Sequence, residues 1–362
     1  MIKKLKIFKN KKIIITGHTG FKGTWLTAWL TILGAKVVGI SNKIPTKPSH
    51  YKTIKIKNKI KDLKADIKDL KKIKKIFKSE KPDFVFHLAA QALVKNSYQN
   101  PIETILTNSI GTLNILESLR EIKKNCVAVI ITSDKVYRNL EIARGYSEDD
   151  ILGGKDPYSA SKASAEMIIK SYIHSFFPKE NTKVLIGVAR AGNVIGGGDW
   201  SKDRLVPDCV KSWSKGKKVT LRNPNSTRPW QHVLEALWGY ILLAIYLKKN
   251  SKLHGQSFNF GPKNHLNCNV IKLVKTMKNY WKKISWKIKR NKGKRFYESS
   301  LLKLNSNKSK KYLGWSCVMT FSQTIKMVTE WYKNYYIDKE KISNLTYVQI
   351  KQYEKLLKDR KK

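Results

Sequence analysis

The chain has 362 residues, 41% of them hydrophobic, with 73 Lys+Arg against 26 Asp+Glu for a formal net charge of +47. That length accommodates one large or two smaller domains with a substantial core. No apolar run approaches the roughly 18 residues of a membrane-spanning helix, and the four separated cysteines, with no C-x-x-C pair, argue against a zinc or disulfide framework. The basic stretch Met1–Asn10 leads into a short strand and a glycine turn rather than an apolar signal core, which predicts a cytoplasmic protein with no membrane partner.

Residues 11–23 read K-K-I-I-I-T-G-H-T-G-F-K-G. The β-branched run Ile13–Ile15 predicts a strand that stops at glycines 17, 20 and 23, and Trp25, Leu26, Trp29, Leu30 and Leu33 follow on one side of a helix. Glycine in such a turn permits positive φ and close approach of backbone N–H groups to a ligand. The helix N-terminus that follows favours a pyrophosphate. The spacing G-x-x-G-x-x-G departs from the G-x-G-x-x-G fingerprint, so the strand–turn–helix context carries the nucleotide-binding expectation against that of a plain glycine-rich turn.

Further strands are expected at Ala35–Ile40, Ile60–Ala65, Phe84–Leu88, Cys126–Thr132 and Lys183–Ala189, with helices over Asp69–Ser79, Ile102–Glu121 and Pro157–Phe177. Ile44–Asn58, with Pro45 and Pro48, reads as a loop. Continuous apolar strands alternating with helices predict a doubly wound parallel sheet of the Rossmann kind, with ligands at the carboxyl ends of its strands. After residue 190 the pattern changes to a glycine-rich loop and short segments rich in Pro, Arg and Trp. Trp230–Lys249 is helical and Ser257–Gly261 supplies one more strand. The expected division is therefore a cofactor domain over 1–190, joined again by 229–261; a smaller α/β substrate domain over 191–228 and 262–335; and a Lys-rich, helical tail over 336–362. The lysines spread along the whole chain beside abundant Ile and Asn. That mixture is what codon bias on solvated faces gives, and a specific nucleic-acid partner is not expected.

Tyr158 and Lys162 form Y-x-x-x-K, one helical turn apart on one face. An ammonium beside a phenol favours a phenolate able to accept a proton. Ser133, at the end of the preceding strand, can hydrogen-bond both the phenol and a sugar hydroxyl. With G-H-T-G-F-K-G, H-L-A-A-Q, N-S-I-G-T, Y-S-A-S-K and R-A-G-N-V-I-G-G-G-D-W in order, the chain resembles the extended short-chain dehydrogenase/reductase family over roughly residues 11–335. Ser133-Asp134-Lys135 and S-T-R-P-W-Q-H-V narrow the resemblance to its CDP-glucose 4,6-dehydratase branch, in which a simple epimerase would not need the Asp134-Lys135 pair. A 4-epimerase or a dehydratase for another nucleotide sugar is the neighbouring reading, and a catalytically silent basic binding protein the more distant one.

The resemblance implies an NAD-dependent lyase acting on a nucleotide sugar, CDP-glucose, in deoxysugar and polysaccharide biosynthesis, working as a dimer or tetramer. It implies cofactor contacts from Gly17, Thr19, Gly20, Phe21, Lys22, Gly23, Asp66, Ile67, Leu88, Ala89 and Ala90, together with Tyr158 and Lys162. Asp66 either accepts from the adenine amino group or caps the next helix. Because Ser41-Asn42-Lys43 lacks the acid that holds a ribose 2′-OH, the local residues leave NAD and NADP open. Gln91, Arg190, Asn193, Trp200, Arg204, Arg222 and Arg228 are implied on the sugar-nucleotide side, the arginines as clamps for phosphate oxygens. Arg190 in an internal ion pair and Trp200 as a shaper of its loop are the structural alternatives. In the implied cycle Tyr158 takes the 4-OH proton, Lys135 the C5 proton, and Asp134 protonates the departing 6-OH; holding a water or orienting the sugar is the other role open to Lys135. His18 is expected beside the cofactor, His87 and His232 packed. No metal site is expected.

Overall fold

The computed structural model describes residues 2–180, 182–221, 223–262, 267–288, 303–337 and 342–360. Seven strands form its central sheet: β1 Lys12–Thr16, β2 Lys36–Ser41, β3 Lys61–Lys64, β4 Phe84–His87, β5 Cys126–Ile131, β6 Val184–Ala191 and β7 Ser257–Phe260. Every neighbouring pair is parallel, in the spatial order β3-β2-β1-β4-β5-β6-β7. The order reverses between β1 and β4, where Ile13 pairs with both Val37 and Phe84, and ligands of such sheets bind at that switch point. This is the doubly wound Rossmann sheet that the apolar strand pattern predicts.

Alternation along each strand sends side chains to opposite faces. Ile13, Ile15, Phe84 and Phe86 join one core, and Ile14, Val85, Ala128 and Ile130 the other. The first face is covered by α1 Phe21–Ile32 and, later in the chain, the almost wholly apolar helix Val233–Lys249; the second by α2 Leu70–Glu80, α3 Gly111–Arg120 and α4 Pro157–Phe176. Numbered in order after these come α5 Leu205–Trp213, α6 Val233–Lys249, α7 Val270–Tyr280, α8 Phe321–Ile337 and α9 Ile342–Asp359.

Three local features differ from the sequence expectation. The helix expected over 102–121 is broken into Pro101–Ile105, a π-turn at Leu106–Ile110, and α3. Such turns re-aim the side chains they carry, and here Asn108 bridges the Gln91 carbonyl and Ser161 Oγ at 3.0 and 2.8 Å. The loop at 44–58 contains two short helical turns, His50–Thr53 and Ile56–Lys59. The Lys-rich C-terminal segment is no free tail: Ile350, Tyr353 and Leu357 give α9 one buried stripe. Trp29 of α1 donates to Glu354 at 3.0 Å and meets the Tyr353 ring edge-on at 5.6 Å. Lys351, Lys355 and Lys358 occupy the solvated side.

Candidate active site

The glycine turn after β1 is built as its residue types require. Gly17 has φ +73°, and a Cβ there would lie 2.7 Å from the Ala89 nitrogen at the end of β4. A Cβ on Gly23 would fall 2.1 Å from the Gly17 carbonyl oxygen. The turn and the first turn of α1 therefore touch backbone to backbone. Gly20 caps α1 without a side chain, leaving the first N–H groups of the helix to face whatever lies before it. Thr19 is tied down by its hydroxyl to the Lys43 carbonyl at 2.8 Å. Leu88, Ala89 and Ala90 form the neighbouring wall, all partly exposed. These glycines and the uncapped helix end fit a dinucleotide pyrophosphate.

Of the two roles the sequence left open for Asp66, capping the next helix falls to Asp69. Asp69 caps α2, accepting from the Lys72 N–H at 3.0 Å. Asp66 instead turns toward the end of β2, accepting from Asn42 Nδ2 at 3.0 Å and the Lys68 N–H at 2.9 Å. Ile67 is buried, and its side chain fills the space where a Cβ on Gly111 would sit. His18 is not an open cofactor contact. It is fully buried, with Nε2 3.0 Å from Asp62 and Nδ1 3.1 Å from Ser41, and burial holds its pKa below the ordinary value against the pull of Asp62. His87 and His232 are enclosed: His87 lies between Thr16 and Thr112, and His232 caps α6.

The residues expected to move protons converge at the ends of β5 and α4. Asp156 caps α4 by accepting the Ser159 N–H at 3.0 Å, and Pro157 is the first helical residue, so Tyr158 sits in the first turn and Lys162 one turn further. Tyr158, Lys162, Ser133 and Asp134 are buried and Lys135 is half-buried. The Ser133 hydroxyl donates to Asp134 Oδ1 at 2.9 Å. Burial pushes the Asp134 carboxyl above its ordinary range, against the opposing pull of Lys135, Ser133 and Lys22. Burial also raises the Tyr158 phenol to about 12, with its hydrogen bond to Ser133 as the leading opposing influence. Lys162 is lowered to about 8 by burial and held up by Glu166. Lys22, from α1, is lowered to about 8 by burial and feels Arg204, Asp134, Lys162 and Asp199 together. Charged groups of α1, the β5 end, α4 and the loop after β6 thus act on one another. Buried groups whose protonation is displaced in this way are suited to moving protons.

Several residues implied on the sugar-nucleotide side are spent elsewhere. Arg190 is fully buried: Nε donates to both Glu166 oxygens at 2.8 and 3.0 Å, Nη2 to Glu166 and Ser257, and Nη1 to the Tyr137 hydroxyl and the Glu148 carbonyl. It is an internal ion pair, because β6 points this side chain into the protein beneath the site. Trp200 is 2% exposed and packs on Trp331, Tyr332 and Tyr335, so it shapes its loop. Gln91 uses its side-chain amide on Leu93 and Thr104, closing its own loop. Arg204 is half-buried and pairs with Asp199 at 3.0 Å beside Lys22. Asn193 is exposed just after β6. Arg228 lies on a two-stranded ribbon formed by Thr227–Pro229 and Asn267–Asn269, its Nη1 3.0 Å from the Thr227 carbonyl. Arg222 lies outside the described residues.

The sequence reading missed Thr132, Glu166, Asp199 and Tyr240. Glu166 had a usable signal, being one helical turn beyond Lys162. Asp199 lay unassigned inside G-G-G-D-W. Tyr240 stands within an apolar helix and carries no local signal, yet its hydroxyl is 3.4 Å from Lys22 Nζ.

A family model described as GDP-mannose 4,6 dehydratase matches residues 14–328. The chain belongs to the GDP-mannose 4,6 dehydratase family. A CDP-glucose 4,6-dehydratase of Salmonella typhimurium is similar to this family member at 40% identity over 330 residues, covering 90% of this chain and 91% of the relative. Among solved structures, an epimerase from Methanothermobacter thermautotrophicus superposes with a TM-score of 0.79 at 21% identity, over 94% of this chain and 97% of that one. A dTDP-glucose 4,6-dehydratase from Bacillus anthracis, solved in complex with NAD, gives 0.72 at 22%, over 92% and 99%. These two likenesses show the shared fold. In this family member no helix among the described residues is long and apolar enough to cross a membrane, and no cluster of metal-binding side chains occurs among them.

Proposed function

We propose that this chain is an NAD-dependent CDP-glucose 4,6-dehydratase, converting CDP-glucose to CDP-4-dehydro-6-deoxyglucose and water. The observation that carries the reading is Asp134: a buried carboxyl whose burial pushes it toward the protonated form, hydrogen-bonded to Ser133 and close to the Tyr158 phenol. An epimerase needs one acid–base tyrosine; eliminating water needs a second acid as well. The 40% identity to a CDP-glucose 4,6-dehydratase supports the nucleotide and the sugar.

The turn at Gly17, Gly20 and Gly23, with Thr19, Phe21 and Lys22 beside it, would hold the NAD pyrophosphate, Asp66 and Ile67 the adenine end, and Leu88–Ala90 the near wall. When bound, NAD supplies a hydride acceptor that is regenerated within the cycle. Tyr158, steadied by Ser133 and Lys162, takes the sugar 4-OH proton. Lys135 removes the proton from C5, made acidic by the new 4-ketone. Asp134 gives its proton to the departing 6-OH, so the C6–O bond breaks as water leaves. Asn193, Arg204, Arg222 and Arg228 serve the sugar nucleotide. In this reading residues 1–190 with 229–261 serve the cofactor, and 191–228 with 262–335 the substrate.

Exposed Ile102, Ile105, Leu106, Ile110, Met167 and Phe176 form an apolar surface on the 101–120 and 157–176 helices, which supports a homodimer through that face. A cytoplasmic location fits substrates of this kind.

The test is mass spectrometry of CDP-glucose incubated with the purified protein and NAD. Loss of one water without net NADH accumulation is expected, with weaker turnover of parallel UDP-, dTDP- and GDP-sugars. No mass change with any of them would overturn the dehydratase reading, and resolved isomers of unchanged mass would make the chain an epimerase.

A further inference from the structure

Three segments must keep register for this chemistry: α4 with Tyr158 and Lys162, the end of β5 with Ser133 and Asp134, and the end of β6 where the substrate loop begins. One carboxylate touches all three. Glu166 is 1% exposed, one turn beyond Lys162. Its Oε1 accepts the Thr132 hydroxyl at 2.6 Å, and Thr132 is bonded directly to Ser133. Both its oxygens receive Arg190 from β6. Two residues past Arg190, Gly192 packs so closely on Asp134 that a Cβ there would sit 3.2 Å from Oδ2. The opposite side of Arg190 is fixed by the Tyr137 hydroxyl, which donates to Asn259 of β7 at 2.8 Å.

We propose that Glu166 is a positioning residue of the dehydratase reaction, holding the Tyr158–Lys162 helix and the Ser133–Asp134 strand end in catalytic register through Thr132 and Arg190. The inference rests on the function proposed above. It explains why a charge pair is kept where an apolar pair of equal volume would be no less stable: replacing a buried pair with packed hydrophobes is often neutral or stabilising. An apolar pair could accept neither the Thr132 hydroxyl nor oppose the charge of Lys162. The charged or titratable groups acting on Lys162 are Glu166 on its own helix, Lys22 from α1 and His87 from β4. Of these, Glu166 is the one that raises its pKa.

The experiment compares Glu166→Gln, Glu166→Asp and Thr132→Val with the unsubstituted chain. It measures kcat and KM for water loss from CDP-glucose, NAD affinity, the pH profile of kcat, and the NMR titration of Lys162 assigned through Lys162→Arg. Expected for Glu166→Gln is a fall in kcat on the order of 10²-fold, KM and NAD affinity nearly unchanged, an alkaline limb moved to lower pH, and Lys162 titrating below about 8. Glu166→Asp should restore part of kcat. Thr132→Val keeps the ion pair, so it folds if Glu166→Gln does not, and it should lower kcat roughly tenfold, the worth of one buried hydrogen bond. Unchanged kcat in Thr132→Val, or a Glu166→Gln protein that loses only thermal stability, would overturn the proposal. If the unsubstituted chain turns over no sugar nucleotide, the function fails instead, and the Lys162 titration alone then decides the Glu166 coupling.

Discussion

Arg190 and Glu166 face one another through two guanidinium nitrogens and both carboxylate oxygens, and neither side chain reaches solvent. Removing one partner strands the other as a buried charge, which typically costs 3–5 kcal/mol. Arg190→Gln should therefore lower the unfolding free energy by about 3–5 kcal/mol, read as a reduced urea midpoint with unchanged slope. A drop in sugar-nucleotide affinity with full stability would instead return Arg190 to the substrate.

Asp134→Asn keeps the shape and the acceptor for Ser133 but removes the transferable proton. General acid catalysis is worth about 10²–10⁴-fold, so water loss should fall by that factor while oxidation at C4 survives. Rapid mixing of Asp134→Asn with CDP-glucose should then show NADH absorbance persisting. Lys135→Ala should behave in the same way if it is the C5 base, and unimpaired dehydration in that variant would remove it from the role.

Buried histidines set the acid limit of the fold. His50, His87 and His232 are each lowered to about 3 by burial, from an ordinary value of 6.5. Between those values the unfolded chain carries the protons and the folded chain does not, so stability falls as the pH drops below about 6.5. Glu235, raised by burial to about 7, binds its proton in the folded state and offsets part of that slope. His50→Gln should flatten the dependence by roughly 1.4 kcal/mol per pH unit, measured by urea unfolding at pH 7.0, 6.0 and 5.0. An identical slope in both proteins would show that His50 is charged while folded.

The backbone contact between Gly23 and Gly17 leaves no room for a methyl group. Gly23→Ala should weaken NAD binding on the order of 10²-fold by displacing the start of α1, seen as a rightward shift in a tryptophan-quenching titration. An unaltered titration would mean that the pyrophosphate does not rest on this turn.

Much of this protein was determined locally. The strand–glycine–helix unit, the apolar strands, and Tyr158 and Lys162 on one helical face follow from turn chemistry and periodicity, which act over a handful of neighbouring residues. Tertiary structure decided what the long polar and aromatic side chains do. Arg190 found Glu166 on another element, Trp200 found Trp331 and Tyr335 from α8, and a Lys-rich C-terminal helix buried its one apolar stripe against α1. The upward push on the Asp134 carboxyl was equally invisible in the sequence. That depends on the water excluded and the charges gathered around it, which come from α1, β5 and the loop after β6 and meet only when the sheet is wound.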